Sequence, residues 1–141
     1  MNLKLVDECE KNKIKQIFEL KETILEYLAG KNINLFETIK ELGIDLHLND
    51  KFPSKFSQKV YSSLLSVKYG ELTNYSEIGE KIGSKANRAI GNILRGNPLP
   101  LIIPCHRVIK KNGEIGGFMG ISEKSWQQTL KKKLIEIEHS T

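Results

Sequence analysis

Apolar side chains recur at helical spacing early in the chain: Ile14, Ile17, Phe18, Ile24, Leu25 and Leu28 predict a helix over residues 13–29. Gly30 follows as a stop, because glycine readily takes the left-handed conformation that closes a helix. From Asn32 to Phe52 the pattern changes. Ile44, Leu46 and Leu48 alternate with Asp45, His47 and Asn49, which suits a strand or an extended linker. A boundary near residues 50–53, closed by Pro53, divides the chain into a reduced N-terminal domain (1–52) and a second domain (53–141). The expected class is α+β, with the second domain mainly helical.

Beyond the boundary the signals sharpen. Val60, Tyr61, Leu64, Leu65 and Val67 suit one buried helix face, ended by Gly70. Thr73 is placed to cap a further helix through its hydroxyl, since the first turn of a helix has unpaired N–H groups. That helix carries Ile78 and Ile82 and stops at Gly83. The turn Gly83-Ser84-Lys85 leads to another, through Ala89, Ile90, Ile93 and Leu94, ended by Gly96. Two short helices about a tight turn fit a DNA-binding helix-turn-helix, and equally a helical hairpin in a core.

Pro98, Pro100 and Pro104 then forbid a helix, because each lacks an N–H and fixes its backbone angle. Asn112-Gly113, between Val108-Ile109 and Ile115, reads as a two-residue hairpin turn. A last helix is expected from about Ser122, with Trp126, Leu130, Leu134 and Ile137 on one face and Trp126 in the core.

Composition changes this picture little. The 141 residues are 39% hydrophobic and 28% charged, as in an ordinary globular chain. No apolar run approaches the roughly 20 residues of a membrane helix. Acidic residues near the N-terminus argue against a signal peptide, so a cytoplasmic protein with no membrane partner is expected. A net charge of +5 permits a polyanionic partner without requiring one. Cys9 and Cys105 have neither metal-ligand nor characteristic disulfide spacing, so reduced thiols, no metal and no cofactor are expected.

The chemistry concentrates at Cys105, in an apolar loop beside His106. Thiolate is the nucleophile, and an imidazole can take the thiol proton directly or through a water. A carboxylate on the other ring nitrogen improves the base. The plain alternative is a buried cysteine beside a surface histidine.

The block Pro104-Cys105-His106-Arg107-Val108, preceded by Arg95-Gly96-Asn97-Pro98-Leu99-Pro100-Leu101-Ile102-Ile103, resembles the active-site signature of the O6-alkylguanine-DNA alkyltransferases. The resemblance is strongest over residues 55–120 and reaches weakly to Tyr27-Leu28-Ala29-Gly30-Lys31. It implies DNA repair: a single, irreversible transfer of an alkyl group from O6 of guanine to Cys105, after the nucleotide is flipped from the duplex. In that reading His106 is the base, Asn97 braces the turn, and Tyr75 donates to the departing guanine. Arg88 fills the space the nucleotide leaves, while Ala89 and Gly91 keep the recognition helix thin and Arg95 adds to the DNA surface. Leu94, Pro100, Val108, Phe118 and Met119 line the base pocket, with the carbonyls of Cys105 and Val108 accepting the guanine amino group. Glu138 is expected to orient His106, with Glu136 as runner-up. The partner is double-stranded DNA carrying O6-alkylguanine, and the protein a monomer.

Three departures stand out. The N-terminal part is short for the family, and Phe118 stands where a tyrosine is frequent. The last helix carries extra residues before Lys131, so Glu138 is aligned on Leu134-Ile135, which precede it at the usual spacing. His47 reads as a surface residue, His139 as disordered and Cys9 as a bystander. Lys131 to Lys133 read as a solvated run or a DNA-facing patch. Three rivals remain: a damage-binding relative without the reactive thiol, against which Cys105 argues; a helix-turn-helix regulator with an operator preference; and a thiol enzyme that turns over.

Overall fold

The computed structural model describes residues 8–118 and 125–140. Seven α-helices follow one another among them: α1 (Glu8–Leu28), α2 (Leu35–Glu41), α3 (Leu48–Lys51), α4 (Lys55–Leu65), α5 (Tyr75–Ile82), α6 (Asn87–Arg95) and α7 (Trp126–His139). A 3-10 turn at Cys105–Arg107 sits between α6 and α7. The chain is mostly helical. The strand part of the α+β expectation reduces to isolated bridges, such as Thr73 with Val108 and Pro100 with Ile103.

Side-chain caps set several helix starts. Asn34, Ser54 and Asn74 accept the N–H of Glu37, Ser57 and Glu77, each taking up one orphan donor of a first turn. The cap of α5 is therefore Asn74 and not Thr73. Thr73 uses its hydroxyl on the Glu77 carboxylate at 2.9 Å, while its backbone pairs with Arg107 and Ile109. A residue held extended by that pairing is followed directly by one free to cap. Gly83, at φ +71°, closes α5 in the left-handed conformation.

The alternating stretch from Ile44 forms no strand. His47 takes a left-handed φ of 49°, its N–H held by Asp45 Oδ1 at 2.8 Å, and α3 begins at once. The Asn112-Gly113 turn also differs from its two-residue reading. Lys110 N–H reaches the Glu114 carbonyl, Gly113 N–H reaches Lys110, and Gly113 sits at φ +88°. That is a three-residue loop, with the glycine in the left-handed position.

One cluster of buried side chains joins Tyr27, Leu35 and Phe52 to Val60, Leu64, Ile78, Ile90, Leu94, Ile103 and Leu134. The packing thus runs continuously across residues 52 and 53. On α1 the expected apolar stripe faces outward: Ile17 is 65% and Phe18 60% exposed, and it is Tyr27 that the helix buries. On α7 the buried residues are Lys131, Leu134 and Glu138, whereas Trp126 is 64% exposed. The core placement expected of Trp126 is wrong: of the apolar row only Leu134 is buried, and it shares the inward face with two charged residues that have buried partners. His139, expected to be disordered, lies in α7 with its ring against the Ile135 carbonyl.

α5 and α6 meet with little room at Gly79, where a Cβ would lie 2.4 Å from the Ser84 carbonyl oxygen. That obstacle is backbone at the turn between the helices. Gly79→Ala is expected to lower stability by about 1–3 kcal/mol through forced displacement of the turn; urea unfolding of the variant against the parent checks this.

Candidate active site

The proline loop delivers Cys105 by local bonds. Asn97, just past the end of α6, accepts the Leu99 N–H at 3.0 Å and donates its amide to the Ile103 carbonyl at 3.0 Å. Leu101 takes a left-handed φ of 77°, a strained angle for a side chain with a Cβ. The chain then doubles back, with Cys105 N–H on the Ile103 carbonyl at 2.7 Å. The 3-10 turn that follows buries Cys105, His106 and Arg107 together. Its far end is tied by Thr73, whose N–H and carbonyl bracket Val108 through Arg107 and Ile109.

Glu138 is the hub beneath this turn. Its Oε1 lies 2.8 Å from His106 Nε2 and accepts from Arg107 Nη2 at 2.8 Å and Tyr27 Oη at 2.5 Å. Its Oε2 accepts from Arg107 Nε at 3.0 Å and from the Gly70 N–H at 3.3 Å. Arg107 Nη1 donates to the Val67 carbonyl at 2.7 Å, which fixes the guanidinium from its other side. The side chains of His106 and Glu138 are both fully buried. Nδ1 of His106 is buried and meets no partner among the described residues. Glu136, two residues earlier, is exposed and paired with Lys132.

Electrostatics follow from this packing. Burial pushes the Glu138 carboxyl up, but the donors of His106, Arg107 and Tyr27 outweigh it and hold it well below the ordinary carboxylate range. Burial lowers the His106 pKa against the pull of Glu138, so the imidazole favours its neutral form. Burial raises the Cys105 thiol, with the Asn97 amide and the Lys131 charge opposing. At neutral pH burial thus favours a protonated thiol at Cys105 and a neutral imidazole at His106.

Lys131 is 2% exposed, so neither the solvated nor the DNA-facing reading of this lysine holds. Its ammonium donates to the carbonyls of Val108 and Gly117, and burial lowers its pKa to about 8. Lys132 and Lys133 are exposed. The Val108 carbonyl, expected to face a guanine amino group, already accepts this ammonium. Sequence reasoning gave no role to Tyr27 or Arg107, and placed Lys131 at the surface instead of in the site. Arg107 sat inside the quoted signature, and Tyr27 inside the weak N-terminal similarity, so both carried a signal.

The remaining candidates fall into two groups. Leu94, Val108 and Phe118 are buried in the same cluster as Cys105, with Pro100 partly exposed nearby in the loop. Met119 lies outside the described residues. Tyr75 opens α5 with its ring over Gly91, where a Cβ would meet Tyr75 Cε1 at 3.8 Å. Arg88 and Arg95 are exposed on α6, with Ala89 and Gly91 half-buried between them. Cys9 is an exposed thiol on α1. The described residues contain no cluster of metal-ligating side chains, and no helix among them is long and apolar enough to cross a membrane.

Residues 55–140 match the family model described as 6-O-methylguanine DNA methyltransferase, DNA binding domain. A methylated-DNA–protein-cysteine methyltransferase of Candida glabrata is 34% identical over 76% of this chain and 50% of its own length. A probable methylated-DNA–protein-cysteine methyltransferase of Acanthamoeba polyphaga mimivirus is 34% identical over 88% of this chain and 78% of its own. Among solved structures, Mycobacterium tuberculosis OGT in complex with DNA superposes with a TM-score of 0.54 at 39% identity, covering 62% of this chain and 51% of that one. The O6-methylguanine-DNA methyltransferase of Pyrococcus kodakaraensis gives 0.52 at 26% identity, covering 91% and 79%. The chain thus spans about half the length of some of these relatives.

Proposed function

Because the chain belongs to the O6-methylguanine DNA methyltransferase family, we propose that it repairs DNA by moving an alkyl group from O6 of guanine onto Cys105, once per molecule. The observation that carries this reading is the buried Cys105-His106 pair with Glu138 on the imidazole, inside the segment the family model matches. In this reading residues 1–52 form an N-terminal part, and 53–141 bind DNA and carry out the transfer.

The mechanism follows from the proton positions. Glu138, ionised and acceptor-only, calls for the ring proton on His106 Nε2, which leaves the Nδ1 lone pair, unpartnered among the described residues, to take the Cys105 proton through a bridging water. Sulfur forms a bond to the alkyl carbon as the carbon–O6 bond breaks, and its electron pair leaves with guanine. Tyr75 donates to the departing base where negative charge develops. The guanine anion gains a proton through Tyr75, which recovers its own from His106 by way of solvent, and a thioether stays on the protein. A thioether is chemically stable and has no ready leaving path, so one molecule performs one transfer.

The target atom is stacked inside the duplex, so the nucleotide must rotate out at a cost of a few kcal/mol. Arg88, exposed on the first turn of α6, takes the vacated space, and Ala89 and Gly91 let the helix approach a minor groove about 6 Å wide. Arg95 adds positive charge to the same helix. Leu94, Pro100, Val108 and Phe118 surround the extruded base. We place the protein in the cytoplasm as a monomer acting on double-stranded DNA, where reducing conditions preserve the thiol.

Incubation with an excess of duplex containing O6-methylguanine is expected to add one methyl group, mapped by peptide mass spectrometry to Cys105 and not Cys9. Repeated turnover with unmodified Cys105 would overturn the reading in favour of a catalytic thiol enzyme.

A further inference from the structure

We propose that Tyr27, carried on α1 outside the segment that matches the family model, is a positioning residue for the transfer: its hydroxyl shares the Glu138 oxygen that holds His106 and so keeps the imidazole neutral, with its ring proton on Nε2. The inference rests on the alkyl-transfer reading of the site and names a part of it supplied by the N-terminal helix.

Tyr27 has one hydroxyl proton, and its donation to Glu138 Oε1 at 2.5 Å uses it. The same oxygen lies 3.3 Å from His106 Nε2, to which it can then offer only lone pairs. Glu138 Oε1, 2.8 Å from that nitrogen, is also an acceptor. A bare Nε2 would face two acceptors, so the ring proton belongs on Nε2 and the lone pair on Nδ1.

Glu138 Oε1 serves His106, Arg107 and Tyr27 together, and each donor it accepts reduces the negative potential left for the others. The groups facing the imidazole are Glu138 and Lys131 from α7, Arg107 from its own turn and Tyr27 from α1; of the charged groups among them Glu138 alone favours an imidazolium. A Tyr27 donor tempers that one favourable partner. Removing it strengthens the pull of Glu138 on His106, raises the pH at which the ring protonates, and removes the base from more molecules at a given pH.

The surroundings hold the phenol in place. Tyr27 is buried, and its ring meets Tyr69 edge-on, with centroids 5.8 Å apart at 86°. The Tyr69 hydroxyl reaches the carbonyls of Gly30 and Ile137, which join the loop after α1 to α7. A hydroxyl so fixed acts on one oxygen in one direction.

Tyr27→Phe removes the hydroxyl and keeps the ring. The midpoint of the acid limb of single-turnover transfer, measured at saturating methylated duplex, is expected to rise by about half a pH unit, slowing transfer about threefold on that limb. The His106 ring titration, followed by 15N NMR without DNA, is expected to shift in the same direction. A space-filling role would lower Tm and leave both midpoints unmoved, and that result would overturn the proposal. If the wild type transfers no alkyl group, the repair reading fails by itself, while the NMR midpoints still decide whether Tyr27 governs His106.

Discussion

Cys105→Ala is expected to abolish alkyl transfer while DNA containing the lesion still binds within about twofold of the parent. The loss is complete because no other thiol is placed to substitute. Cys9 is exposed on α1, with no imidazole or carboxylate assembly described around it. Binding survives because the proposed DNA surface, Arg88 and Arg95 on α6, is exposed and separate from the buried sulfur. Folding survives because the change removes one small buried atom, at about 1 kcal/mol for the cavity. The Asn97 bonds to Leu99 and Ile103 hold the loop without it. Fluorescence anisotropy with lesion and plain duplexes, beside a methyl-transfer assay, separates the two functions. A variant that neither transfers nor binds would mean that the sulfur holds the loop as well as reacting.

How far the site was legible in the sequence depends on what each residue does. Cys105 and His106 are legible through the family signature around them, because the proline loop by itself leaves a buried cysteine beside a surface histidine as the plainer reading. Helices α5 and α6 are legible from spacing and from Gly83, whose left-handed angle is a local requirement. Tyr27 and Lys131 are not legible in that way. Their roles depend on partners 111 and 23 residues away along the chain, and neither residue breaks a local pattern. Trp126 misleads for the related reason that hydrophobic periodicity marks the face able to be buried. On α7 the buried face holds Lys131 and Glu138, whose charges have partners, and of the apolar row only Leu134. The α1 stripe misleads in the same sense: its spacing is helical, and most of it meets solvent.

Glu138→Gln is expected to damage both activity and folding, whereas Glu136→Gln is expected to damage neither. Residues two apart on a helix face different ways, and here one carboxylate is fully buried and the other exposed beside Lys132. An exposed pair of that kind contributes at most about 0.5 kcal/mol. Glutamine at 138 presents an amide with one acceptor and two donors to a site that supplies donors from His106, Arg107, Tyr27 and Gly70. At least one donor then meets another donor, and the buried Arg107 charge loses its counter-ion, a loss of about 3–5 kcal/mol. Transfer should slow by about a hundredfold, since an imidazole without its carboxylate is a poorer and less well oriented base. The stability gap has a pH signature. The folded Glu138 pKa is depressed below its unfolded value of about 4.3, so its contribution is present above that pH and is lost as pH falls towards the folded value. Urea unfolding should therefore show a wide gap between parent and Glu138→Gln at pH 7, narrowing as pH falls below about 5. A gap that stayed constant down to pH 3 would mean that the lost stability comes from packing around the amide and not from the buried carboxylate charge.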